Sequence, residues 1–281
     1  MSLTTTDHDR DHFGLKYVYP VVSRRAQGVS VGINLNPNKA CNWRCVYCQV
    51  PGLTRGAGPA IDLDQLSAEL DSLLDALVHG DFLERHAPEG SRVLKDIAFS
   101  GDGESTSSPD FLVAMDAVGA AMNKFELIDK IKLVLITNGS LVKKAQIQHG
   151  LKSLAKLGGE IWFKLDRGSD AAMRATNDVA TSLASHLENL RVATSLAPTW
   201  IQTCMYGVEG EAPSAEDVDD YLRVLNGLQA DKVPIKGVLL YGMARPPMLP
   251  EATNLTQLDS PWMEKLGDRI RGLGLTVRVS P

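Results

Sequence analysis

Two hydrophobic periods alternate along this chain, and that alternation limits the folds open to it. Short β-rich runs occupy residues 30–35, 94–100, 131–137, 160–166, 199–206 and 235–241. Between them apolar residues recur three and four apart. Leu63, Leu66, Leu70, Leu73, Leu74 and Leu77 make one stripe, Leu151, Leu154 and Leu157 part of another, and Val218, Leu222, Leu225 and Leu228 a third. Short apolar runs alternating with a 3.6-residue period are the pattern of successive βα units around a parallel sheet. Asp62-x-x-Gln65 and Ser214-x-x-Asp217 each supply a cap oxygen and a reciprocal polar side chain at a helix start. Ser108-Pro109 and Ser260-Pro261 place a cap residue before proline at the first helical position. From Gly168 to Asn177 the pattern lapses, which predicts a longer loop. Six βα units are too few for a closed eight-stranded barrel. The expected fold is therefore α/β, an open partial (β/α)6 barrel ending in a C-terminal helix and strand. No fixed-period repeat, low-complexity tract or long linker divides the chain. Residues 17–281 are expected to form a single domain behind a flexible tail at 1–16.

At 281 residues and 44% hydrophobic, the chain can bury a large core without staples. Its 29 Lys and Arg against 34 Asp and Glu leave a formal charge of −5. That balance argues against broad electrostatic binding of nucleic acid. The polar N-terminal residues contain no secretory apolar run, and no stretch approaches the ~18 apolar residues of a membrane span. The expected setting is cytoplasmic, with no membrane partner. In that reducing compartment clustered cysteines bind metal or do redox chemistry more often than they form disulfides.

Three of the four cysteines, Cys41, Cys45 and Cys48, follow the first β run with the spacing C-x3-C-x2-C. In parallel α/β architectures the chemistry sits beyond the C-terminal ends of the strands, where this loop lies. Three thiolates are one short of a closed structural zinc site. On a [4Fe–4S] cluster they leave one iron open to a substrate or cofactor. The fourth cysteine, Cys204, lies far along the chain within a β run, where a thiol packs as a small hydrophobe. Three readings stand side by side: a cluster enzyme with an open iron, a non-catalytic iron–sulfur protein for electron transfer or redox sensing, and a zinc module with Cys204 as fourth ligand.

The cysteine spacing, with Tyr47 just before the last cysteine, resembles the radical S-adenosylmethionine (radical SAM) superfamily. Gly101-Asp102-Gly103-Glu104, at the end of the next β run, resembles that superfamily's glycine-rich segment. The blocks at 19–25, 32–37 and 240–247 resemble a branch related to the wybutosine-forming tRNA enzymes. Those enzymes carry further cysteines for a second cluster ahead of the motif, whereas no cysteine precedes Cys41 here. The resemblance implies a radical SAM barrel in which Cys41, Cys45 and Cys48 bind the [4Fe–4S] cluster as metal ligands. It implies a SAM site drawn from Tyr47, Gly101, Asp102, Gly103, Glu104, Asn138, Lys164, Asp166 and Gln202. It further implies reductive cleavage of SAM to a 5′-deoxyadenosyl radical that abstracts hydrogen from an unidentified substrate. Reduced flavodoxin or ferredoxin would supply the electron, and no catalytic side chain is assigned beyond the cluster.

Lys164 and Asp166, two apart on one strand face, are equally a candidate buried ion pair. Arg24, Arg25 and Arg245 carry guanidinium forks suited to an anionic substrate, small or macromolecular, or to bracing loops. The six histidines show no metal spacing, and His79, His86 and His186 are expected to face solvent from helices.

Overall fold

A hairpin that hydrophobic period did not single out begins the sheet. In this computed structural model β1 (Val18–Ser23) pairs antiparallel with β2 (Gly28–Ile33), in a register running from Val18↔Ile33 to Ser23↔Gly28. The structure describes residues 3–4, 13–23, 27–243 and 245–281. Arg24, Arg25 and most of the expected tail lie outside the described residues. The chain falls into two compact units: Met1–Asn42 with Gly56–Ile136 and Lys144–Glu160, and Trp43–Arg55 with Thr137–Lys143 and Ile161–Pro281.

In the first unit β2 runs parallel to β3 (Leu94–Phe99), and β3 parallel to β4 (Lys132–Thr137). Helices α1 (Leu63–Val78), α2 (Phe111–Lys124) and α3 (Ala145–Lys156) belong to this unit, with α2 packed on both α1 and α3. Asp62 caps α1 by accepting the Gln65 backbone N–H at 3.0 Å, as its capping motif requires. Leu66, Leu70, Leu73, Leu74 and Leu77 are buried along the helix, each contributing about 1.5–3 kcal/mol by leaving water. The same buried face carries Glu69, whose carboxylate accepts the backbone N–H groups of Lys16, Tyr17 and Val18 at 2.8–3.2 Å. A charged side chain on an apolar stripe is here the anchor for the entry to β1.

The second unit follows the same rhythm with β5 (Glu160–Lys164), α4 (Asp170–Asn177), α5 (Leu183–Leu196), β6 (Thr199–Met205), α6 (Ala215–Ala230), β7 (Ile235–Gly242), α7 (Ser260–Arg271) and β8 (Val277–Ser280). Strands β5 to β8 lie in chain order and pair in parallel, with Lys164 opposite Gln202, Cys204 opposite Tyr241 and Tyr241 opposite Ser280. Each of the six β runs expected from sequence is a strand, with ends displaced by two residues at most.

Three local expectations need correction. The stretch from Gly168 to Asn177 is not a loop: Ser169 accepts the Ala172 N–H and starts the eight-residue helix α4. Its apolar residues are too few to show a period. Helix α2 begins at Phe111 after Asp110 rather than at the Ser108-Pro109 pair, because Ser108 is spent on the Pro59 carbonyl and the Asp110 N–H. Helix α7 is capped by Asp259, one residue before the expected Ser260. No helix among the described residues is long and apolar enough to cross a membrane.

Candidate functional site

Each unit holds some of the residues singled out in the sequence, and the three cysteines are divided between them, Cys41 in the first and Cys45 and Cys48 in the second. In the first, β3 ends in Gly101-Asp102-Gly103-Glu104. Asn34 locks this turn, donating from Nδ2 to Asp102 Oδ2 at 2.7 Å and accepting the Asp102 N–H at Oδ1 at 3.1 Å. Asn36 donates to the Ala40 carbonyl at 2.9 Å, just ahead of Cys41. Both glycines are demanded by this packing. Gly101 has φ +147°, and a side chain there would meet Asn34; a Cβ at Gly103 would lie 2.1 Å from the Ala40 carbonyl. Glu104 is buried and accepts from Thr106 Oγ1 at 2.6 Å, capping the short turn Ser105–Ser107. Asn34 and Asn36 escaped the sequence reading, although both lie in a block that carried the family resemblance.

The second unit assembles a denser network at the ends of β5, β6 and β7. Asp166 is its hub. Its Oδ2 accepts the Tyr47 hydroxyl and Asn177 Nδ2 at 2.5 and 2.9 Å; its Oδ1 accepts the Cys204 N–H at 2.8 Å and lies 3.5 Å from Lys164 Nζ. Lys164 donates to the Tyr241 hydroxyl at 2.6 Å, its ammonium 4.8 Å from the Tyr47 ring centroid and 5.0 Å from that of Tyr241. Lys164 and Asp166 are therefore the buried ion pair that their spacing allowed. Burial works against the charge on both groups. The partners outweigh it, holding the Asp166 carboxyl below its ordinary value and raising the Lys164 ammonium.

Asn177 links this hub to the cysteine loop. Its Nδ2 also donates to Cys45 Sγ at 3.2 Å, and its carbonyl accepts the Arg44 N–H at 3.1 Å. The Thr176 carbonyl accepts the Val46 N–H at 2.9 Å, so the end of α4 holds the loop from Arg44 to Val46 along its backbone. Sequence analysis missed Asn177 because it lies in the stretch read as loop. Cys48 accepts the Met248 N–H at its carbonyl, and Gln49 exchanges two hydrogen bonds with Arg245, at 2.6 and 2.8 Å. Arg245 thus braces this loop and also lines a cavity of about 600 Å³ with Met243, Pro246, Pro247, Leu255 and Gln257. Cys204 is buried in a cluster with Tyr47, Tyr206 and Met243. Gln202 is buried beside Lys164, and Asn138 accepts from Ser140 N and Oγ in its own turn.

Among the described residues no three Cys, His, Asp or Glu side chains are gathered at metal-ligand spacing. The donor chemistry nevertheless fits a metal–thiolate centre. Three soft sulfur donors fall within eight consecutive residues of the sequence, and Cys45 already receives the N–H···S contact that orients and tunes a thiolate ligand. Burial first, and Asp166 second, push the Cys45 thiol up to about 11. A bound cation supplies the charge that would turn such a thiol into a thiolate.

His186 does not face solvent. It is buried between Phe163 and Trp43, with ring centroids at 4.8 and 5.3 Å, and Nε2 bonds the Lys164 carbonyl at 2.7 Å. Desolvation lowers its pKa from 6.5. The unfolded chain therefore takes up the proton more readily than the folded one, and this contribution to stability is intact above pH ~6.5 and declines as pH falls below it. Denaturant titrations between pH 7.5 and 5.5 should show a loss of up to about 1.4 kcal/mol per pH unit from this group. His186→Gln should flatten that slope, and an unchanged slope would exclude the assignment.

No protein-family model matches the chain. It is 24% identical over 222 residues to "GTPase Obg" of Brachyspira hyodysenteriae, covering 77% of this chain and 29% of that protein. It is 25% identical over 134 residues to a "UPF0026 protein" of Helicobacter pylori, covering 47% and 38%. The chain thus spans well under two thirds of either relative. It contains no Gly-Lys pair and hence no phosphate-binding P-loop motif. Among solved structures, TYW1 with a lysine-pyruvate adduct bound superposes with a TM-score of 0.54 at 13% identity, over 95% of this chain and 80% of that one. A radical SAM methyltransferase from Sphaerobacter thermophilus superposes with a TM-score of 0.56 at 14% identity, over 93% and 68%. Similarity at this level concerns architecture, and by it the chain is an α/β protein with the partial-barrel fold of radical SAM enzymes.

Proposed function

We propose that this chain is a cytoplasmic radical SAM enzyme of unassigned reaction. Cys41, Cys45 and Cys48 would hold a [4Fe–4S] cluster, with SAM completing the coordination of the fourth iron. The observation that carries this reading is the C-x3-C-x2-C run in a chain with this fold, placed in the loop after β2. When bound, the cluster and SAM supply one-electron cleavage of a sulfonium to methionine and a hydrogen-abstracting 5′-deoxyadenosyl radical, the electron coming from reduced flavodoxin or ferredoxin.

The protein's own residues bind and orient. Asn177 fixes Cys45 by donating to its sulfur, and Asp166 fixes Asn177 by accepting from the same amide. These are positioning roles, and the packing of Tyr47, Cys204 and Tyr206 limits water around them. Lys164, the pair's partly exposed member, keeps a fixed positive charge at the strand ends, suited to a carboxylate. Asn34 holds the Gly101–Glu104 backbone in shape for an ammonium group, and its Oδ1 also accepts the Asn36 N–H.

Anaerobic reconstitution with iron and sulfide tests the proposal. The protein should show the visible absorbance of an iron–sulfur cluster and release 5′-deoxyadenosine from SAM after dithionite reduction. An intact cluster without deoxyadenosine would replace the proposal with electron transfer. Stoichiometric zinc without iron would replace it with the zinc module.

A further inference from the structure

One buried cation in the second unit is not used by the network around Asp166. Arg167, only 7% exposed, follows Asp166 directly. Its Nη1 donates to the carbonyls of Asp166 and Cys204 at 2.8 and 3.1 Å and lies 3.6 Å from Met205 Sδ. Its guanidinium carbon lies 4.6 Å from the centroid of the Tyr206 ring. Among the described residues no carboxylate stands within ion-pair distance of it, since Asp166 faces Lys164. A buried guanidinium whose only acceptors are neutral carbonyls is an unusual expenditure of stability. Desolvation pulls its pKa down, and the surrounding Tyr206 and Asp166 more than restore it, so it stays charged.

Arg167 opens on a cavity of about 310 Å³, large enough for a small organic molecule. Thr176, Tyr206, Glu211, Ser214 and Asp217 also line it. Thr176 and Tyr206 share a hydroxyl hydrogen bond at 3.0 Å. Asp217 accepts from Ser214 Oγ at 2.8 Å, while Glu211 is exposed at a tight turn with Val208. The cavity lining therefore carries one buried positive charge and two carboxylates, and no ion pair joins them. A dianion such as phosphate is disfavoured by the carboxylates, and a simple cation by Arg167. A molecule bearing one charge of each sign complements both kinds of lining group.

We propose that this cavity binds a free α-amino acid, its carboxylate on the fork of Arg167 and its ammonium toward Glu211 and Asp217. The site shares Thr176 and Tyr206 with the surroundings of the cysteine loop, but it contains none of the residues proposed to hold the cluster or SAM. The guanidinium edge left over from Nη1 suits a planar carboxylate, and the Tyr206 ring holds the guanidinium plane in place. An occupant would touch Thr176, whose carbonyl holds the backbone of Val46.

The test uses the full chain without added iron, with thermal unfolding followed against L-leucine, propionate and ethylamine. L-leucine should raise the midpoint in a dose-dependent way, and propionate and ethylamine at equal concentration should raise it less. Arg167→Gln should weaken L-leucine binding by about tenfold or more, the loss of a charged hydrogen-bonded pair. Because Arg167 is buried, that variant tests the site only if it folds. The double variant Glu211→Gln/Asp217→Asn changes partly exposed side chains and should reduce the response to L-leucine to that of propionate. The proposal is overturned by a wild-type midpoint that L-leucine does not move, by an equal response to propionate, or by an L-leucine response that survives the double variant.

Discussion

Asp166→Ala should lower the free energy of unfolding by about 3–5 kcal/mol, measured from denaturant midpoints at pH 7. The physical reason is what the substitution leaves behind. The Lys164 ammonium, with a side chain 12% exposed, loses its only carboxylate within ion-pair distance among the described residues. The Tyr47 hydroxyl, Asn177 Nδ2 and the Cys204 N–H lose an acceptor at the same time. Asp166→Asn keeps the shape but places an amide N–H where two donors already converge, so it should recover little of the loss. The double variant Lys164→Met/Asp166→Leu removes both charges and should be closer to wild type than Asp166→Ala. If Asp166→Ala is as stable as wild type, the hub has no structural role.

The pH dependence carries the same signature. The Asp166 carboxyl is held below its ordinary value, so the folded state releases its proton more readily than the unfolded state. The stability it contributes is complete above about pH 4, the unfolded value, and is lost as pH falls through the lower folded value. Lys164 is raised, so its contribution is complete below about pH 10.4 and is lost only at higher pH. In Asp166→Ala the acid limb should be shallower than in wild type.

Cys45→Ala should abolish deoxyadenosine release after reconstitution, a fall beyond the roughly 10–100-fold expected for removing a group that merely orients a ligand. Cys204→Ala is the informative companion. Cys204 is 1% exposed among Tyr47, Tyr206 and Met243, and burial pushes its thiol up to about 12. Its loss should leave SAM cleavage in place and reduce stability by roughly 1 kcal/mol, the scale of a small core truncation. Retained cleavage in Cys45→Ala would remove the cluster assignment. Metal lost from Cys204→Ala, with cleavage never detected, would support a four-cysteine zinc site instead.

The elements of this fold were largely legible. The leucine stripe of α1 is buried in register with its period, and the caps at Asp62 and Ser214 accept the N–H groups they were expected to accept. Helix α4 was not legible, since eight residues with three buried side chains present no period. His186 was expected to face solvent from a helix, and nothing in the spacing of α5 indicated that Phe163 and Trp43 enclose it. Tyr241 and Lys164 each lay near a strand end, but their pairing depends on how β5, β6 and β7 are aligned.

The cysteine spacing and the βα alternation are local facts of chain order, complete without folding. Three residues of one loop stay close whatever the rest does, and hydrophobic period reports burial within each element directly. The surroundings of those cysteines arise in the other way. Asp166 draws its partners from residues 11, 38 and 119 positions distant, and Asn177 reaches Cys45 across 132. Such contacts follow from strand register and from which neighbour fills each buried donor and acceptor. Residue order constrains neither until the chain is packed: the sequence singled out Asp166 beside Lys164, but its bonds to Tyr47, Asn177 and the Cys204 N–H emerged only in three dimensions.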